Sequence, residues 1–297
     1  MKTLLTIVSK NQQQYAARMK EAVEAMSCIP DRVLVVLDRP TAQELNDTQG
    51  IFDSPLYHVV SVQDIPSYAG RPQMKYGIPY FCAGAARNMA ARFAMEADYD
   101  AVIFIDGDCY PEPDLVNAHL ELLESDEPAV TVGRRNEAKH GWHDQREKDA
   151  EHPIPIFGKQ ERITKEAFFV DSGVVWTCNM GINRQAMSEI MSLNKALFGR
   201  YELCSSDFSG TWGGEDGYLG LEAFYLDIPV MPVCRKGAGV RHVEHDRPLD
   251  KYDHETFVAY LEEKREELLY LMKANGRPCP RYVPKDIIIG NRDWVRK

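Results

Sequence analysis

Three short clusters in this 297-residue chain carry side chains that could do chemistry together. The first is Asp106-Gly107-Asp108, two carboxylates one residue apart at the end of the apolar run 101–105. Residues i and i+2 of an extended chain point the same way, and a glycine between them permits close backbone approach. Two hard oxygen ligands at a strand end suit a divalent cation that also holds a diphosphate. The second cluster is Thr211-Trp212-Gly213-Gly214-Glu215-Asp216. Its glycines let the backbone pass close to a ligand. Its acids sit at a helix start, where the dipole favours the ionised carboxylate, the form a general base needs. Trp212 offers an aromatic face suited to a sugar ring. The third is Val240-Arg241-His242-Val243-Glu244-His245, with two imidazoles three residues apart after a strand, each a candidate metal ligand.

The elements that must position these groups alternate along the first half. Residues 4–8, 33–37, 57–62 and 101–105 are short β-branched runs that predict strands. Tyr15, Met19, Ala22, Val23 and Met26 fall at helical spacing, and residues 83–97 form an alanine-rich helix. The pattern predicts an α/β fold with a central, mostly parallel sheet and helices on both faces. Ligands then bind beyond the carboxyl ends of the strands, where Ser9, Asp38 and Asp106 fall. Residues 134–165 are polar and are expected to form a long loop or lid. Strand character resumes at 174–182, 228–233 and 239–243, helices are expected at 187–193 and 215–225, and a last amphipathic helix runs 254–274 to Asn275-Gly276. Phe257, Leu261, Leu268, Leu271 and Met272 form its apolar side.

Bulk composition narrows the function classes. The chain is 44% hydrophobic and 27% charged, which is ordinary for a soluble globular protein, and no run approaches a membrane span. A net charge of −10 disfavours a general nucleic-acid binder. The seven cysteines are odd in number and form no CxxC pair, so the expectation is a reducing, cytoplasmic setting without a zinc-cysteine site.

Taken in order, the motifs resemble the GT-A glycosyltransferases, in particular family 2 and the related β-1,4-galactosyltransferase and chondroitin-polymerase type domains. The segment G-x-x-x-A-R-N-x-A of such enzymes corresponds to Gly84-Ala85-Ala86-Arg87-Asn88-Met89-Ala90, with the glycine shifted. The W-G-G-E-D box matches in full, and the R-H pair after a late strand matches Arg241-His242. The resemblance covers residues 3–250. It implies a GT-A domain over 1–250, with a nucleotide-binding half at 1–133 and a lid and acceptor half at 134–250. Residues 251–297 then pack on it as a helix and tail.

The resemblance also implies roles. The donor would be a UDP-sugar and the cofactor Mn²⁺ or Mg²⁺. Asp108 and His242 would hold the metal, with Asp106 able to assist and His245 in reserve. Asp106 would otherwise hold the ribose or a metal-bound water. Ser9 and Asp38 would line the nucleotide, with Asp38 at its uracil or ribose. Arg87 would face the nucleotide-sugar, and Asn179 would hydrogen-bond on the floor of the sugar pocket, near Asp171-Ser172-Gly173. Trp212 and Gly214 would border the sugar. Asp216 would be the catalytic base and Glu215 would bind sugar or acceptor hydroxyls. The acceptor is by default a glycan or polysaccharide hydroxyl. Other readings are transfer to a modified base in DNA, using Arg134, Arg135, Lys139, His140, His143 and Arg146, a retaining transferase, and a sugar- or metal-binding module without chemistry. A nucleotidyltransferase is disfavoured because TIVSKNQQQ lacks the glycine-rich phosphate loop.

Overall fold

Alternate residues of the central strands go to opposite faces of one sheet, and both faces are buried. In a computed structural model, which describes residues 1–10, 12–63, 82–138, 175–208, 214–233, 235–243 and 254–276, strands β1 (Thr3–Ser9), β2 (Arg32–Asp38) and β4 (Ala101–Asp106) run side by side. Leu4, Val8, Leu34, Val36, Val102 and Phe104 pack on helix α3 (Ala83–Glu96) through Ala86, Ala90, Ala91 and Ala94. Leu5, Ile7, Val33, Val35, Ile103 and Ile105 pack on the other side, against Met19 and Val23 of α1 (Gln13–Glu24) and Leu115 and Val116 of α4 (Leu115–Leu123). Strands buried on both faces explain the near-continuous apolar runs. The row of alanines lets α3 lie close to the sheet.

Adding β3 (Tyr57–Val62), β6 (Val130–Gly133), β8 (Asn179–Asn183) and β9 (Val230–Val233) completes a seven-stranded sheet of order β3-β2-β1-β4-β8-β6-β9. The first four are mutually parallel, β8 is antiparallel to both neighbours, and β6 pairs parallel with β9. Val8 is in register with Asp106, and Ser9 with Leu37, so the carboxyl ends of β1, β2 and β4 share one edge.

Five elements lie outside the sequence pattern: α4, β6 and the three that follow. Helix α2 (Ala42–Ile51) starts with a Thr41–Glu44 capping box. Strands β5 (Cys109–Pro111) and β7 (Arg135–Ala138) flank β10 (Val240–Val243) in a second, three-stranded sheet. The expected loop thus begins as a strand, and residues 139–165 lie outside the described residues. The run expected at 174–182 contains a turn closed by Asn179 N–H to Trp176 C=O at 3.2 Å, so β8 begins only at Asn179.

Helix α5 (Arg184–Phe198) is capped by Asn183 and ends at Gly199 in the left-handed region. It meets α6 (Glu215–Tyr225) and α7 (His254–Ala274) in a separate apolar cluster of Leu193, Phe208, Tyr218, Leu221, Tyr225, Tyr260, Leu261, Leu268 and Met272. Among the described residues no helix is long and apolar enough to cross a membrane. The tail beyond residue 276 lies outside the described residues.

Glu222 of α6 is 0% exposed and lies beside Asn194, but neither of its carboxylate oxygens makes a hydrogen bond of normal geometry among the described residues. Burial pushes its carboxyl well above the ordinary 4.5. The stability that goes with the neutral acid is present at low pH and is lost as pH rises above that ordinary value. Glu222→Gln keeps the shape without the titration. It is expected to raise the unfolding midpoint at pH 8 by about 2–4 °C, the shift of a ~1 kcal/mol gain, with almost no change at pH 4. A scan in which the two proteins differ equally at both pH values would refute this.

Candidate active site

The common edge of β1, β2 and β4 carries Ser9, Asp38 and the turn Asp106-Gly107-Asp108. Gly107 N–H donates to the Val8 carbonyl at 2.8 Å, which holds the turn against the end of β1. A Cβ at Gly107 would lie 2.6 Å from Gln12 Oε1 and 2.8 Å from both Cβ and Oγ of Ser9. Gln12 can swing away, but the Ser9 side chain is fixed to its strand. Gly107→Ala is therefore expected to cost about 1–3 kcal/mol through overpacking, with part recovered in the Ser9→Gly double variant. Urea unfolding of the two proteins checks it, and an unshifted midpoint in Gly107→Ala would contradict the contact.

Asp108 is buried and accepts a hydrogen bond from Gln12 Nε2 at 2.7 Å. Its Oδ2 lies 3.6 Å from His242 Nε2, beyond hydrogen-bond range. The small sheet makes this pairing. His242 is in register with Cys109, and Val243 N–H donates to the Asp108 carbonyl at 2.8 Å. Metal–ligand bonds to carboxylate and imidazole are about 2.0–2.2 Å, so these two atoms can reach one ion. Gln12 Oε1 is buried with no hydrogen-bond partner among the described residues. Its amide is oriented by donation to Asp108, so the oxygen is an acceptor awaiting a donor such as a metal-bound water. Carboxylate, imidazole and an orphaned carbonyl oxygen fit a Mn²⁺- or Mg²⁺-type ion. His245 lies outside the described residues.

Arg87 joins this edge to the acid pair. Its side chain is 3% exposed, and it donates from Nη2 to Asp106 Oδ1 at 2.9 Å and from Nη1 to Glu215 Oε1 at 2.7 Å. It was expected to face a nucleotide-sugar, but the guanidinium is instead engaged by two carboxylates. Burial disfavours its charge, yet Asp106 and Glu215 together keep it protonated. Burial also raises the Asp106 carboxyl, against the pull of Arg87.

Glu215 and Asp216 open α6 after Gly214, whose φ of 97° is a conformation only glycine adopts readily. Burial first, then the neighbouring Asp216, push the Glu215 carboxyl up to about 7, against the opposing Arg87. Burial raises Asp216 as well, although it accepts the Gly217 N–H at 2.8 Å. Asp216 is more open than Glu215. Trp212 and Gly213 lie outside the described residues.

Two other expected residues sit differently from the sequence reading. Asp38 is 1% exposed and accepts hydrogen bonds from Arg39 Nε at 2.8 Å, Lys10 Nζ at 3.0 Å and the Cys82 N–H at 3.0 Å. Burial raises its carboxyl, but these donors together hold it below the usual range. It organises the partly exposed Lys10 and Arg39 rather than offering a free carboxylate. Asn179 is 0% exposed, with its amide engaged by His119 Nε2 at 2.8 Å and the Arg134 carbonyl at 2.9 Å. It is an interior residue.

The sequence also gave no sign that Cys109 and Cys178 would meet. Their sulfurs and an Asp106 oxygen lie within 4.8 Å of one another, a softer donor set beneath the turn. Without CxxC spacing, only the pairing of β4 with β8 brings them together. Of the basic set at 134–146, Arg135 stacks over the Trp176 ring at 5.6 Å. Lys139, His140, His143 and Arg146 lie outside the described residues, as do Asp171, Ser172 and Gly173.

Residues 82–191 match the family model of glycosyl transferase family 2. No curated protein matches the sequence. The fold is similar to that of S. aureus TarS residues 1–349 in complex with UDP-GlcNAc, with a TM-score of 0.59 and 13% identity over 92% of this chain and 72% of that one. The same TarS fragment with UDP gives 0.58 and 14% over 92% of this chain and 65% of that one. GalNAc-T7 with UDP, GalNAc and Mn²⁺ gives 0.58 and 14% over 93% of this chain and 50% of that one.

Proposed function

We propose that this chain, whose residues 82–191 match the family model of glycosyl transferase family 2, transfers a sugar from a UDP-sugar to a hydroxyl acceptor, assisted by a divalent metal and with inversion at the anomeric carbon. One observation carries this reading. A single buried guanidinium, Arg87, binds both Asp106 of the strand-end turn and Glu215 of the acid pair. The metal end and the base end of the site therefore belong to one rigid cluster, as a single displacement requires.

Asp108 and His242 would hold the ion, which supplies Lewis-acid charge to the leaving diphosphate. Lys10 and Arg39, gathered around Asp38, add positive charge at the ends of β1 and β2. Asp216 takes the proton of the acceptor hydroxyl as that oxygen attacks the sugar. Glu215, held by Arg87, hydrogen-bonds the sugar or acceptor. The UDP-GlcNAc bound by TarS and the UDP and Mn²⁺ bound by GalNAc-T7 support a uridine donor and Mn²⁺.

A panel of nucleotide-sugars tests the reading by calorimetry and by hydrolysis, with and without Mn²⁺. The expected result is Mn²⁺-dependent binding and slow hydrolysis of one or two UDP-sugars, both lost in Asp108→Ala. Metal-independent binding that survives Asp108→Ala would refute the metal role. Absence of any nucleotide-sugar binding would refute the donor.

A further inference from the structure

At the seam between the two sheets lies a chain of buried polar groups that the mechanism does not use. His119 of α4, Thr131 of β6 and Asn179 of β8 are each 0% exposed. His119 Nδ1 is 2.7 Å from Thr131 Oγ1, and its Nε2 is 2.8 Å from Asn179 Oδ1. Asn179 Nδ2 donates to the Arg134 carbonyl at 2.9 Å and contacts the Ala238 carbonyl at 3.4 Å.

The directions of these bonds follow from the last pair. Carbonyls accept only, so the Asn179 amide nitrogen faces them and its Oδ1 faces His119. His119 Nε2 must then carry the proton, and Nδ1 accepts from the Thr131 hydroxyl. That is the neutral imidazole, and burial does push its pKa down to about 4. Every member is satisfied in one consistent sense.

Two glycines make room for the chain. A Cβ at Gly133 would lie 2.2 Å from Asn179 Nδ2, and one at Gly181 would lie 2.4 Å from Thr131 Oγ1 and 2.8 Å from His119 Nδ1. Packing alone does not call for such an arrangement, because apolar groups of similar shape can replace a satisfied buried pair at little cost. What the chain does reach is the foot of the small sheet. Arg134 precedes β7, and its carbonyl also accepts the Val240 N–H that starts β10, at 2.9 Å. Ala238 lies two residues before β10. Both carbonyls are therefore gripped just ahead of the strand that places His242 over Asp108.

We propose that His119 and Asn179 are positioning residues that fix β10, and with it His242, over the Asp106-Gly107-Asp108 turn. The consequence for metal affinity rests on the function proposed above, and the placement of β10 does not. Hydrogen exchange of the β10 amides reads the placement, and Mn²⁺ titration of the whole chain reads the consequence. His119→Leu and Asn179→Asp are expected to speed β10 exchange at least tenfold relative to β1. They are also expected to weaken Mn²⁺ binding, by up to the roughly 10-fold that follows loss of a group hydrogen-bonded directly to a ligand. His119→Gln, whose Nε2 replaces the imidazole donor, is expected to restore most of both. Met272→Ala, in the remote α7 cluster, serves as a control that lowers stability without touching the seam.

Unchanged β10 exchange in folded His119→Leu and Asn179→Asp would overturn the proposal, as would an equal local effect in Met272→Ala. If His119→Leu does not fold, Thr131→Val removes only the outer link and is read by the same two measurements. A wild-type chain that binds no Mn²⁺ would refute the metal reading, and β10 exchange would then decide the placement alone.

Discussion

Asp216→Asn is expected to lower kcat by about 10²–10⁴-fold, the contribution of a positioned general base, while donor affinity stays within about threefold. The substitution keeps the side chain's shape and its bond to the Gly217 N–H, but removes the basic oxygen. Its effect should fall on kcat and kcat/KM alike, since proton transfer occurs only in the transition state. The pH profile sharpens the test. Glu215 is raised to about 7 by burial and by the charge of Asp216, so the pair gains its full negative charge only near neutrality. Wild-type kcat should climb with pH across that region and then level off. In Asp216→Asn the neighbouring charge is gone and Glu215 should titrate lower. Loss of donor binding in the variant, with turnover of bound donor preserved, would sink the assignment.

Arg87→Met is the second large effect, and it is read as stability. The change removes the buried cation and leaves Asp106 and Glu215 facing each other without it. Breaking a buried ion pair by deleting one partner typically costs about 3–5 kcal/mol, much of the stability of a typical domain. Because Arg87 holds the Glu215 carboxyl down, its loss should push that group further up. The folded state then favours the protonated acid, so stability is greatest at low pH and falls as pH rises through the raised value. Denaturant midpoints at pH 5 and pH 8 should therefore separate more widely for Arg87→Met than for wild type. Adding Glu215→Gln should recover part of the loss, since one unpaired charge disappears. A midpoint within about 1 kcal/mol of wild type would show that the cluster is not held by Arg87, with the urea slope used to convert midpoints to energy.

The same residues show what can be read from a linear sequence. Strands β1 to β4 and helices α1, α3 and α6 were legible because each is long enough to show its period, and because burial on both faces demands unbroken apolar runs. The carboxyl ends of those strands, and hence the shared edge of Ser9, Asp38 and Asp106, follow from the alternation of strands and helices. Strands β5 and β7 were not legible. At three and four residues they are too short to carry a pattern, and they exist because β10 pairs with them. Helix α2 is short and largely exposed, and only its capping box marks it.

At the site the division is between residue type and residue partner. The sequence by itself determined which groups could do chemistry, since Asp108, His242, Glu215 and Asp216 are named by type and local context. Tertiary structure alone decided their partners. Arg87 binds Asp106 and Glu215, 19 and 128 residues away, and is buried between them. Asn179 lies in a strand whose register directs its amide into the seam, and Asp38 is enclosed by three donors from three segments. Local periodicity reports which face of an element is buried. It does not report which distant charge meets another, because that depends on how the strands are ordered across the sheet, and the desolvation that sets each carboxyl's affinity for its proton exists only after they have assembled.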